Sequence, residues 1–188
     1  MSQAKTLSDA ELYVLLSSVS GSRYELRDRL MLQLTYLAGL RVGEVAALIV
    51  GDVANGDGSP KSEIRLRPGQ TKGRKARTVM VSNKLSVEIG KFLTGRSLDL
   101  QAPLFVSQKT QYRFTSVGLA NHFKWIYDRA GIDNGSSHSG RRTFITNLAH
   151  KGVSVRVIQD LVGHSSMSTT QRYIDVSDNS KRMAVELI

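Results

Sequence analysis

The sequence predicts a mainly α-helical domain with a small antiparallel β-hairpin inserted early, and three observations carry that prediction. Apolar residues recur at helical spacing along most of the chain, between well-marked caps. Two short segments alternate with period two instead, on either side of a glycine-containing turn. Finally, 188 residues, 40% of them hydrophobic and 22% charged, suit one domain with a sizeable core.

The elements follow in order. In Leu7-Ser8-Asp9-Ala10-Glu11-Leu12, Ser8 caps the first helix, Glu11 reaches back to complete a capping box, and Leu7 and Leu12 are set for a hydrophobic staple. That helix should end near Ser18. A second helix, apolar over one wide face, runs from about Tyr24 through Leu30, Leu34 and Leu37 to Gly39. Gly39 and Gly43 bracket Leu40-Arg41-Val42, so the chain breaks there and restarts as a helix through Val45, Ala46 and Leu48. Glu63–Arg67 and Arg77–Val81 alternate around Pro68-Gly69-Gln70-Thr71-Lys72-Gly73, a hairpin with a basic outer face. Helices should then cover about 83–94, 116–130, 139–151, 155–162 and 169–175, with one more short helix over 178–188. Gly131, Gly152 and Gly163 serve as C-terminal caps, and Ser154 and Ser168 as N-caps. Phe123, Ile126 and Tyr127, with Trp125 nearby, read as core, and Tyr36 and Tyr112 as packing residues. His122 and His150 sit inside helices without partner motifs and read as structural or surface groups.

Charge is unevenly spread. The chain carries 26 Lys plus Arg against 16 Asp plus Glu, a net charge of +10. Residues 61–113 hold 12 basic and 3 acidic side chains (+9), against 5 and 7 (−2) before them and 9 and 6 (+3) after. Such a concentration suits a polyanionic partner, because each neutralised phosphate releases counterions; a solvated basic face is the alternative. The absence of cysteine excludes disulfides, thiolate metal sites and cysteine nucleophiles. No apolar run approaches the ~18 residues of a membrane helix, and Met1–Asp9 has no secretory pattern, so a cytoplasmic location is expected.

Two segments carry chemistry. In Ser137-His138-Ser139-Gly140-Arg141-Arg142, a helix start would put His138 and Arg141 on one face, where an anionic oxygen is also favoured by the helix dipole. In Leu161-Val162-Gly163-His164 through Tyr173, a glycine ends one helix, a histidine follows, and a tyrosine comes nine residues later. A phenol is a poor nucleophile at neutral pH, with a reference pKa of about 10, but among cations it can attack phosphorus and hold a covalent intermediate.

With Gly39-Leu40-Arg41-Val42-Gly43-Glu44 and Thr71-Lys72-Gly73, these segments stand in the order found in the tyrosine recombinases, the phage-integrase family, which the chain resembles from about Leu7 to Val176. The resemblance implies that family's catalytic-domain fold. It implies that Arg41 and Arg141 hold the non-bridging oxygens of a scissile phosphate, and that Lys72 protonates the departing 5′ oxygen. By the same resemblance His138 is a general acid/base, His164 a second phosphate-binding histidine, and Tyr173 the nucleophile that forms a 3′-phosphotyrosyl bond. Glu44 matches an acidic position that buttresses the site. Arg74, Lys75, Arg77 and Arg142 are expected to contact DNA, and Arg74, Lys75 and Arg77 compete with Lys72 for its role. Departures from the usual wording are Gly140 for a leucine, Arg142 for a histidine and Met80 for a proline.

The expected activity is site-specific DNA recombination without metal or other cofactor, on double-stranded DNA, in a tetrameric synapse and with the nucleoid as location. Asp178–Ile188, with Met183, Val185, Leu187 and Ile188 as its apolar set, would dock on a neighbouring protomer or pack in cis. The resemblance further implies a single catalytic domain over residues 1–188, without the N-terminal core-binding domain of typical members, as in a fragment or a short stand-alone member such as the fimbrial-switch invertases. Two other readings stay open at this point: a non-catalytic DNA-binding or regulatory protein on the same scaffold, and relaxation of DNA in the manner of a type IB topoisomerase.

Overall fold

The computed structural model describes residues 4–71, 73–96, 98–171 and 185–186. Helix α1 (Asp9–Val19) begins with the expected box: the Ser8 hydroxyl accepts from the Glu11 amide at 3.2 Å, and the Ser8 amide donates to the Glu11 carboxylate at 2.9 Å. Next come α2 (Glu25–Ala38), α3 (Val42–Ala47) and a single turn α4 (Val50–Val53). Strands β1 (Glu63–Leu66) and β2 (Arg77–Met80) pair antiparallel, with Ile64 opposite Val79 and Leu66 opposite Arg77. A 3₁₀ turn, Pro68–Gln70, opens the connection between them. The remaining elements are α5 (Asn83–Leu93), α6 (Ser116–Arg129), α7 (Ser139–His150), α8 (Val155–Val162) and α9 (Met167–Gln171). The fold is mainly α with one two-stranded sheet, as the sequence predicts.

Helix α2 is the axis of the molecule. Its apolar face and both flanks are covered by α1, α3, α5 and α7, so that Leu30, Met31, Leu32 and Leu34 are all sealed from solvent. Strand residues Ile64, Leu66 and Val79 join the same core, as do Leu119, Phe123, Ile126 and Tyr127 of α6. A second, much smaller cluster of Ile145, Ile158 and Val162 joins α7 to α8. Helix α7 approaches α2 at backbone distance: a Cβ on Gly140 would lie 2.2 Å from the Thr35 hydroxyl. The glycine that departs from the usual wording is what this packing requires.

Two packing expectations change. Helix α9 starts at Met167, so Ser168 lies inside it rather than at its cap, bonded through its hydroxyl to that of Ser166 at 2.7 Å. Tyr112 is 78% exposed, because it closes a tight turn by accepting the Ser107 amide at 2.9 Å. Tyr127 is buried as expected, and His122 is structural, bonded to Asp28 at 3.1 Å and stacked on Trp125. The expected helix at 178–188 lies outside the described residues apart from 185–186. No described helix is long and apolar enough to cross a membrane.

Candidate active site

The site begins where α2 must stop. Gly39 adopts the left-handed conformation (φ 62°), and a Cβ there would lie 2.6 Å from the Phe144 ring of α7, so both dihedral and space call for glycine. The chain then turns into α3 with Arg41 at the cap. Glu44, in the first turn of α3, grips Arg41 twice: its carboxylate accepts the Arg41 amide at 2.8 Å and the Arg41 Nη1 at 3.0 Å. Only 1% of the Glu44 side chain is exposed, and its second oxygen also accepts Arg77 Nη2 at 2.7 Å. Arg141 Nη1 stands 4.0 Å away. Burial alone would raise the Glu44 carboxyl, but the charge and hydrogen bond of Arg77, the Arg41 amide and the charge of Arg141 together hold it below the usual carboxylate range. One buried carboxylate therefore organises three arginines.

The other anchor is the end of α8, whose last carbonyls have no partner within the helix. Three successive ones are taken by the same three side chains: Leu161 O by Arg77 Nη1 at 2.9 Å, Val162 O by Arg141 Nη2 at 2.7 Å, and Gly163 O by Arg41 Nη2 at 3.3 Å. Arg141 also donates to Gly39 O, so it clamps the ends of α2 and α8 together. A helix C-terminus favours cations, which adds to each bond. Gly163 ends α8 in the left-handed conformation (φ 63°), and a Cβ there would lie 2.6 Å from Arg77 Cδ.

His164 follows. It is 91% buried by exposure of 9%, and its Nδ1 lies 3.0 Å from the hydroxyl of Thr170 in α9. Burial, then the charges of Arg141, Arg41 and Arg77, push its pKa down from 6.5 to about 4, so the ring is neutral at neutral pH. Its backbone is pinned by Gln159, whose carbonyl accepts the His164 amide at 3.1 Å and whose side-chain Nε2 donates to His164 O at 3.0 Å.

These groups open onto a cleft of about 700 Å³ lined by Arg41, Glu44, Arg77 and His164, by Thr71, Gly73, Lys75 and Ala76 of the hairpin turn, and by Arg156, Gln159, Asp160, Gly163, Ser165 and Thr169. Arg41, Glu44, Arg141 and His164, drawn from segments far apart in sequence, are thus brought together. Lys72 and Tyr173 lie outside the described residues, but Thr71 and Gly73, the chain neighbours of Lys72, line the cleft. His138 caps α7, is exposed, and is not among the described residues that line the cleft. Arg74 is exposed in the turn with a left-handed backbone (φ 50°), and Lys75 is exposed at the cleft. Arg142 points toward the N-terminal segment, where its Nε donates to the Thr6 hydroxyl at 2.9 Å.

Arg77 corrects the expectation of a basic outer face at its position. Only 10% of its side chain is exposed, and its guanidinium is engaged by Glu44 and Leu161 O. The period-two pattern carried this signal: Arg77 shares a strand face with Val79, which is 2% exposed. Arg156, Gln159 and Thr170 were not singled out from the sequence, and only their proximity to Gly163-His164 marked them.

Residues 5–180 match the family model described as the phage integrase family. The chain belongs to the phage integrase family. It is 36% identical over 160 residues to a tyrosine recombinase of Pseudothermotoga lettingae, covering 85% of this chain and 53% of that protein. It is also 36% identical over 165 residues to tyrosine recombinase XerA of Pyrococcus horikoshii, covering 86% of this chain and 54% of the relative. The chain thus spans about half the length of these curated relatives. Among solved structures, the XerA recombinase crystal structure superposes with a TM-score of 0.77 at 28% identity, over 100% of this chain and 66% of that one. The Tn1549 transposon integrase, solved in complex with a circular-intermediate DNA, shares the fold with a TM-score of 0.78 at 18% identity, over 100% of this chain and 67% of that one.

Proposed function

We propose that this phage-integrase-family chain is the catalytic domain of a site-specific DNA recombinase, which cuts and rejoins DNA through a covalent 3′-phosphotyrosyl intermediate. The observation that carries the reading is that Arg41 and His164 line one cleft, with Arg141 packed behind them against Gly39 O and Val162 O, and that Glu44 and the end of α8 hold the group together. Phosphoryl transfer requires in-line positioning and stabilisation of charge on the equatorial oxygens, and preformed guanidinium groups supply both. The tyrosine recombinase relatives and the basic middle third of the chain support DNA as the substrate.

In this reading Arg41 and Arg141 bind the non-bridging oxygens of the scissile phosphate, and His164 donates to the same group. Tyr173 attacks phosphorus as its proton leaves, with His138 as general acid/base. The bond to the 5′ oxygen breaks, and Lys72 gives that oxygen a proton. The freed 5′-hydroxyl of a partner strand then attacks the phosphotyrosine, which restores the phosphodiester and releases Tyr173. Each step exchanges one P–O bond for another, so no nucleotide is consumed. Arg74, Lys75 and Arg142 take backbone phosphates, four protomers form the synapse, and the protein works at the nucleoid. Arg77 acts through Glu44 rather than on DNA.

The test uses nicked duplexes covering the DNA that flanks the protein's own gene. The short strand end diffuses away after cleavage, so the phosphate stays on the protein. A denaturation-resistant adduct formed by the wild type and lost in Tyr173→Phe is the expected result. An adduct that survives Tyr173→Phe would overturn the assignment of the nucleophile. Relaxation of any supercoiled plasmid without a preferred site would favour a topoisomerase.

A further inference from the structure

Among the described residues, the hydroxyl proton of Thr170 has one place to go. Thr170 is wholly buried, and a buried donor left without an acceptor is costly. Buried helical threonines elsewhere in this molecule give that proton to their own backbone: Thr143 to Ser139 O at 2.8 Å and Thr35 to Leu32 O at 2.8 Å. Thr170 does not. Among the described residues its hydroxyl meets a single hydrogen-bond partner, His164 Nδ1, at 3.0 Å. An imidazole nitrogen that receives a hydrogen bond carries a lone pair, so the one proton of a neutral ring resides on Nε2. Protonating Nδ1 would make the Thr170 hydroxyl accept instead, leaving its own buried proton without an acceptor among the described residues, in a space where burial and three guanidinium groups already disfavour the imidazolium.

We propose that Thr170 is a positioning residue that fixes His164 as the Nε2–H tautomer, so that the ring meets a phosphate oxygen as a neutral hydrogen-bond donor. The assignment of the tautomer stands on the local geometry alone; its use on phosphate rests on the strand-transfer reading above. The consequence for the site is specific. The opposite tautomer would present a lone pair from Nε2 to an anionic oxygen, and the two would repel. Thr170 also lies in α9, three residues before Tyr173, so the same bond ties the phosphate-facing histidine to the helix turn that leads into the proposed nucleophile.

The experiment is ring-nitrogen NMR on the full chain labelled with ¹⁵N-histidine at neutral pH, with His164→Gln to assign the resonances. In the wild type, Nδ1 should appear as an unprotonated, pyridine-type nitrogen and Nε2 as a protonated, pyrrole-type one. Thr170→Val keeps the shape and removes the hydroxyl, and should yield a mixture of tautomers; Thr170→Ser should restore the wild-type spectrum. On the nicked duplex, Thr170→Val should slow single-turnover cleavage about tenfold, the weight of one hydrogen bond, with Thr170→Ser close to wild type. A protonated Nδ1 in the wild type would overturn the proposal, whether or not Thr170→Val folds. An unshifted spectrum in a folded Thr170→Val would overturn it as well. Failure of the strand-transfer reading shows differently, as a wild type without adduct whose ring nitrogens still report the tautomer.

Discussion

The two walls of the cleft are built on different foundations. On one side, α3 and β2 present Arg41, Glu44 and Arg77 from the edge of the main core, which α2 runs through and thirty buried hydrophobic residues fill. On the other side, α8 and α9 present His164 and Thr170 from a satellite core of Ile145, Ile158 and Val162. The first wall is held by charge, with a carboxylate shared among guanidinium groups. The second is held by neutral hydrogen bonds from Gln159 and Thr170. Cation placement and histidine placement are therefore separately supported, and the bonds from the three arginines to the end of α8 join them.

The largest effect is expected from Glu44→Ala. It leaves three guanidinium groups without their shared carboxylate, at a cost of about 3 kcal/mol, which for a chain this size lowers Tm by roughly 10 °C. A loss below about 1 kcal/mol in thermal unfolding would mean that the carbonyls of α8 suffice alone.

Ile158→Ala should cost about 2–3 kcal/mol through its cavity, and the loss should be local. Hydrogen exchange should accelerate in α8 and α9 while α2 keeps its protection. Equal loss of protection in α2 would erase the distinction between the walls.

A smaller effect, about 1–2 kcal/mol, is expected from Gly163→Ala, which strains a left-handed residue and presses on Arg77. Calorimetry reads the stability, and the cleavage rate should fall further than stability predicts, since all three arginine contacts lie within two residues.

The smallest effect is a pH slope. The folded pKa of His164, about 4, lies below its ordinary 6.5, so the unfolded chain binds more protons between these values. Stability should therefore decline as pH falls from 6.5 toward 4, and His164→Gln should flatten the decline. An unchanged slope in chemical unfolding would show that the ring is charged in the folded protein. Glu44 titrates below its ordinary value of 4.5, so its contribution is lost from about 4.5 downward and adds to the decline at the acid end of this window.

Local chemistry explains what was legible in the sequence. The capping box at Ser8 and Glu11, the left-handed stops at Gly39 and Gly163, and the alternation of the hairpin each depend on a few adjacent residues, and each formed as read. Arg41, Glu44, Arg141 and His164 were nameable because the resemblance quotes them in motifs. Arg77 was misplaced because its basic character outweighed the alternation that set it beside Val79. The role of Thr170 depends on a single buried rotor and the sharing of α8 carbonyls on contacts across 21, 84 and 122 residues, and neither leaves a pattern along the chain. Ser168 lies two residues past the cap position, which Ser166 occupies, within the usual error of helix ends.

The manner in which α8 receives the arginines bears on the field of the cleft. Three like charges gathered in one place repel, and matching each with its own carboxylate would quiet the repulsion by cancelling the charge. Peptide carbonyls at a helix end are dipoles: they lower the local energy of a guanidinium yet add no net negative charge. With Glu44 as the shared carboxylate for Arg41, Arg77 and Arg141, the arrangement retains an excess of about two positive charges while remaining folded. The site can therefore stay assembled when empty and still draw an anion from solution.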